Sequence, residues 1–547
     1  MGASPMATSR RPPRSAAPGL RGLGHGGALL ICGAVVMGPF LVLLWQVAQA
    51  AGRDPGAWLW LAVPLGRRGP LLVRSLALAA GVAGAGTALG LLAATYLWRW
   101  HQGWLAYLRW LPLLLLPVPF CVHALAWWTL ADGANHVLAL AGMPMLPFQG
   151  GLASWWVQLM ALLPLATGLA LLGLETVDPA LIDAGRVHRS DQAAFGWIVL
   201  PLAAPKLLAG AGFLFLLSIT DYSVPSLFQF QVYAMEIFTE FSASHDPAKA
   251  LALAAPLLLV AGAVVAGSLA SLRDGLQPPA WPVKAWERPP VWPRWFARLQ
   301  CGALGILVAQ VTVLLLGLTL PVGSFTRLAE AMRAAVPEIG YSLLIAGLTA
   351  VLCLPLALAA ARELRRARGR QLFWWLMIAA PLAIPAPLTG IGLITLSGSS
   401  WFPGLVVDTG MMPVLADLSR FTPWAAVVVL AQLQSINPLW LDAAAILQKN
   451  RCQGWFQVEM PILAPGLLAG AGLALVLSLG ELGATLLVAP PGRATLCMRI
   501  YNFLHYGAAD TVASLCLLLA GLVLLPGGGA VLILSAWRRR QTRSQKG

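Results

Sequence analysis

Two stretches of the chain repeat one arrangement of residues. The first runs from Val177 to Pro201 and sets Asp178-Pro179 five residues ahead of Asp183, Ala184 and Gly185. The second runs from Ile436 to Pro461 and sets Asn437-Pro438 five residues ahead of Asp442, Ala443 and Ala444. An Asp or Asn followed by Pro starts a helix: the side chain caps free amides, and Pro takes the first helical position, where no donor is lost. Asp183 and Asp442 follow early enough to be tolerated near the positive end of that helix. The small residues beside them let another body approach closely, and Pro201 and Pro461 lead into the next apolar run. One copy would be an ordinary connector; two equivalent copies read as short helices held parallel to the membrane, each with a compact exposed face.

Other polar residues fall in corresponding places. Ser218 and Asp221 match Ser478 and Glu481 at an offset of 260, toward the outer ends of apolar runs. Acidic residues there either line the mouth of a pathway or sit at the interface with access to water. His123 lies beside Pro117-Val-Pro119 inside an apolar run, which fits a pathway residue or a packed, hydrogen-bonded imidazole. The seven His show no ligand spacing, and the seven Cys (32, 121, 301, 353, 452, 497, 516) show no CxxC spacing, so neither a metal site nor a disulfide framework is expected. Five Lys are present and none follows Gly, which excludes a P-loop; HExxH and GxSxG are also absent.

The elements that must carry these residues follow from composition. Of 547 residues, 59% are apolar and 10% charged, with a mean hydropathy of +0.76. A soluble globule has about 25% charged residues, so most of this chain is dissolved in lipid. Twelve runs are long enough to span, near 27–48, 74–97, 107–131, 153–174, 204–224, 250–272, 301–322, 341–361, 372–396, 421–435, 466–487 and 511–536. Arg10, Arg11, Arg14 and Arg21 ahead of the first run, with Ala48-Gln49-Ala50 after it, resemble a signal peptide. The run is longer than a signal core and eleven more follow, so it reads as an uncleaved first helix. The many Trp near span ends, such as Trp58, Trp127 and Trp156, read as interfacial anchors.

The net charge of +15 would suggest nucleic acid in a soluble chain, but here it reflects loop asymmetry. With both termini cytoplasmic, inner segments hold 26 Lys and Arg and outer loops 10. The chain is also internally duplicated: LLAGAG at 207–212 recurs at 467–472, flanked by Pro201 and Pro205 against Pro461 and Pro465. Arg74-Ser75-Leu76 pairs with Tyr341-Ser342-Leu343, and Pro117-Val-Pro119 with Pro385-Ala-Pro387. An even number of spans per repeat makes the halves parallel, with a pseudo-two-fold axis along the membrane normal where a pathway fits. The expected fold is therefore all-α and polytopic, about 12 transmembrane helices in two parallel six-helix repeats. The expected divisions are a disordered N-terminus at 1–26, a first half at 27–272, a linker at 273–300, a second half at 301–536 and a basic tail at 537–547.

The paired loops, 177–204 and 436–465, resemble the EAA loops of ABC importer permeases, in which an acidic-Ala-Ala start is followed by Gly and later Leu-Pro. The run Ser478-Leu-Gly-Glu481-Leu-Gly-Ala484 and the stretch Leu496 to Gly507 are similar to fused ferric-iron/thiamine-type permeases. The resemblance implies the type I importer permease fold. It also implies a cytoplasmic ABC ATPase dimer, with ATP and Mg held on that partner and no cofactor in this chain, and a periplasmic substrate-binding protein. On this likeness Asp183, Ala184, Gly185, Asp442, Ala443 and Ala444 dock the ATPase. Arg189 and Gln448 stand where the family carries a turn-forming Gly, so the bend after each docking helix is expected to differ. Ser218, Asp221, Ser478, Glu481 and His123 are the pathway candidates. The chain is expected to be no enzyme itself, with lipid as its solvent and no nucleic acid as partner. The implied cargo is a small solute of the ferric-iron, thiamine or phosphonate class. An ion-driven twelve-helix transporter is the alternative, to be distinguished by an ion site near the bilayer midplane.

Overall fold

A computed structural model describes residues 21–52, 61–99, 108–115, 118–275, 290–366, 371–400, 402, 404–436, 439, 446, 451–506 and 511–525. Among them no strand occurs, as lipid demands of a chain that must satisfy its backbone within single helices. The principal helices are α1 (Arg21–Ala51), α2 (Arg68–Arg99), α3 (Phe120–Leu140), α4 (Gly150–Glu175), α5 (Pro179–His188), α6 (Leu200–Thr220), α7 (Tyr233–Ser244) and α8 (Pro247–Gly275). They continue as α9 (Arg294–Val322), α10 (Val336–Arg366), α11 (Gln371–Ala383), α12 (Ala386–Ser397), α13 (Met412–Ser435), α14 (Met460–Leu479) and α15 (Leu496–Tyr506).

Nine helices among the described residues are long and apolar enough to cross a membrane, and α11 with α12 makes a tenth if that pair, bent by 105°, counts as one span. The differences from the twelve predicted runs have local causes. The ninth run breaks at Pro385, and the third stops at Leu115 and restarts at Phe120, after the matching Pro pair. The tenth is longer than its hydropathy implies, beginning at Met412, because Asp417 and Arg420 lie within it. The fifth and eleventh end early, at Thr220 and Leu479, so Asp221 and Glu481 stand just beyond their helices rather than inside them. Only Thr511–Leu525 of the twelfth run is described, and residues 1–20, residues 276–289 of the linker and the basic tail lie outside the described residues.

The element order repeats with the sequence offset. Before each of α6 and α14 the helix loosens into one π turn, Phe195–Val199 and Trp455–Glu459, again 260 residues apart. After each comes a short helix, Ser223–Leu227 and Thr485–Val488, and then α7 or α15. One end of the bundle thus carries α5 and the π turns; the opposite end carries residues 221–233 and 480–496.

Packing crosses the boundary that the sequence draws at the linker. The opening helix of the first repeat, α1, lies against α10, α12 and α13, while the opening helix of the second, α9, lies against α2 and α3. The two crossings match. Gly392 on α12 receives the backbone of Pro39, and Gly317 on α9 receives the backbone of Ala126; a Cβ on either glycine would overlap a carbonyl group. Polar atoms fix the same contacts: Ser419 Oγ donates to Val36 O at 3.0 Å, and Gln300 Nε2 to Thr95 Oγ1 at 2.9 Å. In lipid, where apolar area alone gives no drive to associate, close approach over small residues and buried hydrogen bonds supplies it.

Candidate functional site

The first of the paired loops is a capped helix. Asp178 Oδ1 accepts from the Ala180 amide at 2.9 Å, Pro179 occupies the first turn, and the helix runs to His188. Ile182 is buried beneath it, whereas Leu181, Asp183, Ala184 and Val187 face outward. Asp183 reaches only Arg186, at 3.6 Å, and its side chain is 68% exposed. Arg186 instead bonds Asp191 at 2.8 Å, and Asp191 Oδ2 accepts from the Val291 amide at 2.6 Å, which fastens the end of the inter-repeat linker to α5. Gly185 closes against Ile198 of the π turn, so its missing side chain lets α5 fold back on the start of the next span.

Arg189, in the place of the family glycine, has φ −142° and ψ 162°, ordinary extended backbone. The bend is completed by Ser190, whose hydroxyl accepts from the Ala193 amide at 3.3 Å and caps the next turn. No left-handed residue is needed here. Arg189→Gly is therefore expected to cost no more than about 1 kcal/mol, the entropy of an unneeded glycine, and thermal unfolding of the purified chain would check this. A larger loss would give the Arg189 guanidinium, 5.7 Å from the Trp197 ring, a structural role of its own.

In the second loop Asp442, Ala443, Ala444 and Gln448 lie outside the described residues. Two of its neighbours are described, Leu439 and Ile446, and both are exposed. Val187 is 79% and Ile446 82% exposed, at positions 259 residues apart. Trp197 and Phe456, in the two π turns, repeat the pattern at the same offset. The π turns themselves are held differently: Phe195 packs edge-on against Trp292 at 5.3 Å, while Trp455 lies under the Arg362 guanidinium at 4.7 Å. Arg362 also bonds Glu459 at 2.8 Å.

At the opposite end the four polar candidates fall into two equivalent groups. Ser218 donates to Gln158 Oε1 at 2.6 Å, and Gln158 Nε2 donates to Asp221 Oδ2 at 2.8 Å. Asp221 then caps the short helix after it, accepting from Ser223 Oγ at 2.5 Å and from the Ser223 and Val224 amides at 3.1 and 3.3 Å. In the second repeat Ser478 donates to Asp417, and Glu481 accepts from the Ala484 amide at 2.8 Å and pairs with Arg420 at 2.5 Å. The groups meet at a seam between the repeats. A Cβ on Gly480 would stand 3.0 Å from Pro119 Cγ, one on Gly483 3.5 Å from the Tyr222 ring, and Ser226 Oγ lies 3.5 Å from the Tyr501 hydroxyl.

His123 is not in this group. It is fully buried between α3 and α9, where its Nδ1 lies 2.6 Å from Gln310 Nε2, and Gln310 Oε1 accepts from Trp127 Nε1 at 3.1 Å. Sequence reading missed Gln158, Asp417 and Arg420. The repeat carried the missing signal, because Gln158 and Asp417 are 259 residues apart, the offset that also joins Asp183 to Asp442. Among the described residues no group of three His, Cys, Asp or Glu is placed to hold a metal ion.

No family model matches the chain. It is 32% identical over 203 residues to the putrescine transport system permease protein PotI of Escherichia coli (strain K12), covering 36% of this chain and 71% of that protein. A protein of Salmonella typhimurium (strain LT2) described as the 2-aminoethylphosphonate transport system permease protein PhnV is 28% identical over 192 residues, 33% of this chain and 66% of its own. The PhnU protein of the same strain, described for the same transport system, is 35% identical over 89 residues, 16% of this chain and 31% of its own.

Proposed function

The chain belongs to the permease subunits of ABC importers, and from there we propose that it supplies both membrane halves of a binding-protein-dependent importer in one polypeptide. A stretch that is 71% of the putrescine permease is only 36% of this chain, so this chain is about twice as long; the repeated element order accounts for the difference. The first half spans 27–272 and the second 301–536. Both termini lie in the cytoplasm of a bacterial cell, consistent with 26 basic residues on that side and 10 on the other.

The observation that carries this reading is the matched exposure of Val187 and Ile446 on two equivalent loops at one end of the bundle. Bulky apolar side chains standing exposed on two equivalent loops are what a partner groove accepts. The partner is a cytoplasmic ATPase dimer that binds the ATP and Mg; each ATPase subunit engages one loop. A binding protein delivers solute to the opposite end. Alternating access follows if ATP binding and release bias two arrangements of the halves. Asp183, Ala184 and Gly185 with Arg189, and Asp442, Ala443 and Ala444 with Gln448, form the docking surfaces.

The solute then passes the seam where Asp221 and Glu481 stand with Ser218 and Ser478. The relatives are named for putrescine and 2-aminoethylphosphonate, not for iron or thiamine, and both named solutes carry an amine. The ammonium group of such a solute is complementary in charge to the two carboxylates at the seam. In proteoliposomes holding this chain with its partner ATPase and binding protein, the double change Asp221→Asn with Glu481→Gln is expected to lower initial uptake of radiolabelled putrescine or 2-aminoethylphosphonate about tenfold or more. That is the loss of one charge-assisted contact of about 1.5 kcal/mol. Uptake left untouched would remove these carboxylates from the pathway.

A further inference from the structure

We infer that Gln158 and Asp417 are a matched pair of positioning residues, one per repeat, that set the ends of α6 and α14 and with them the acids Asp221 and Glu481. The inference rests on the reading of those acids as the polar part of the pathway, and it goes past it to what holds them. Both residues have 0% exposure, and both lie on the long helix that precedes a docking loop, α4 and α13, at an offset of 259. Each accepts a hydrogen bond from the equivalent serine, Ser218 or Ser478, which stands one turn before the acid. A buried polar side chain in lipid is costly unless it is bonded, so two in register are not packing accidents.

The repeats divide the work differently. Gln158 has a donor as well as an acceptor, and it holds both the serine and Asp221. Asp417 holds the serine, while Arg420, one turn further on, takes Glu481. The second oxygen of Asp417 has no hydrogen-bond partner among the described residues. The consequence is specific: Asp221 depends on Gln158 for its place, and the amides of Ser223 and Val224 depend in turn on Asp221.

Hydrogen exchange of the full chain in detergent micelles tests this without any solute or partner. Gln158→Met, which keeps the size and removes the hydrogen bonds, should speed exchange of the Ser223 and Val224 amides about five- to tenfold, the loss of one cap. Asp221→Ala should do the same, and the two together should do no more, because one acts through the other. Asp417→Leu should loosen the Ala484 amide, and Asp417→Asn, which keeps an acceptor for Ser478, should leave it protected. A change confined to α4, or additive effects in the double variant, would overturn the inference. Uptake measured on Asp221 and Glu481 variants tests where solute passes, whereas exchange tests what holds the carboxylates, so either can fail while the other stands.

Discussion

Replacing Val187 and Ile446 together by aspartate is expected to detach the ATPase from a chain that still folds. Both side chains stand almost free on their loops, so the change costs the isolated permease little. In the complex each apolar anchor is worth about 2 kcal/mol, and a carboxylate in its place is also left desolvated. Two such losses come to about 4 kcal/mol, roughly a thousandfold in affinity. Co-purification of the ATPase and the thermal midpoint of the permease, measured on the same preparation, separate the two effects. Each single variant should weaken binding by an intermediate amount, because the ATPase dimer keeps one of its two loops. A double variant that retains the ATPase at wild-type levels would remove these side chains from the interface.

The second large effect is on folding. Gly392→Leu and Gly317→Leu should each destabilise the chain by about 3 kcal/mol or more, at the upper end of what overpacking costs. The reason is that the obstacles are backbone atoms of Pro39 and Ala126, which cannot rotate aside. Gly84→Leu provides the control, since Gly84 has open space around its α-carbon and lies within α2. Thermal unfolding of the purified variants should show a clear fall for the first two and none for the third. Equal behaviour of all three would mean that the exchange of α1 and α9 between repeats does little to hold the halves together.

These outcomes draw on features that differ in how far the sequence discloses them. The helix α5 was legible because its signals are local: Asp178 caps it and Pro179 starts it, with no help from tertiary contacts. The duplication was legible because sequence identity survives in it, and the offset of 260 returns in the π turns and in the capping acids. The start of α13 was not. Asp417 and Arg420 lower its hydropathy, and what makes them tolerable is Ser478 on α14 and Glu481 just beyond it, a contact no window along the chain contains. The ends of α6 and α14 were misjudged for a related reason, since each acid terminates one helix by capping the next. The exchange of α1 and α9 was hidden altogether. A helix that is apolar on every side carries no stripe to say which neighbour it will meet, and glycine at 317 or 392 looks like any other of the 55 in the chain. Ser218, Asp221, Ser478 and Glu481 stand out in the sequence by their repetition, while Gln158 escaped because its counterpart in the other repeat is a different residue.

The central claim is that an ATP-hydrolysing partner grips the two loops that carry Val187 and Ile446. A photo-crosslinking amino acid placed at position 187 of the full chain in native membranes tests it most directly, with position 229 at the opposite end as the comparison. The account predicts one crosslinked adduct from position 187, containing the nucleotide-binding subunit, and no such adduct from position 229. A nucleotide-binding subunit captured from position 229, or none captured from 187 in a complex that still hydrolyses ATP and accumulates solute, would contradict it.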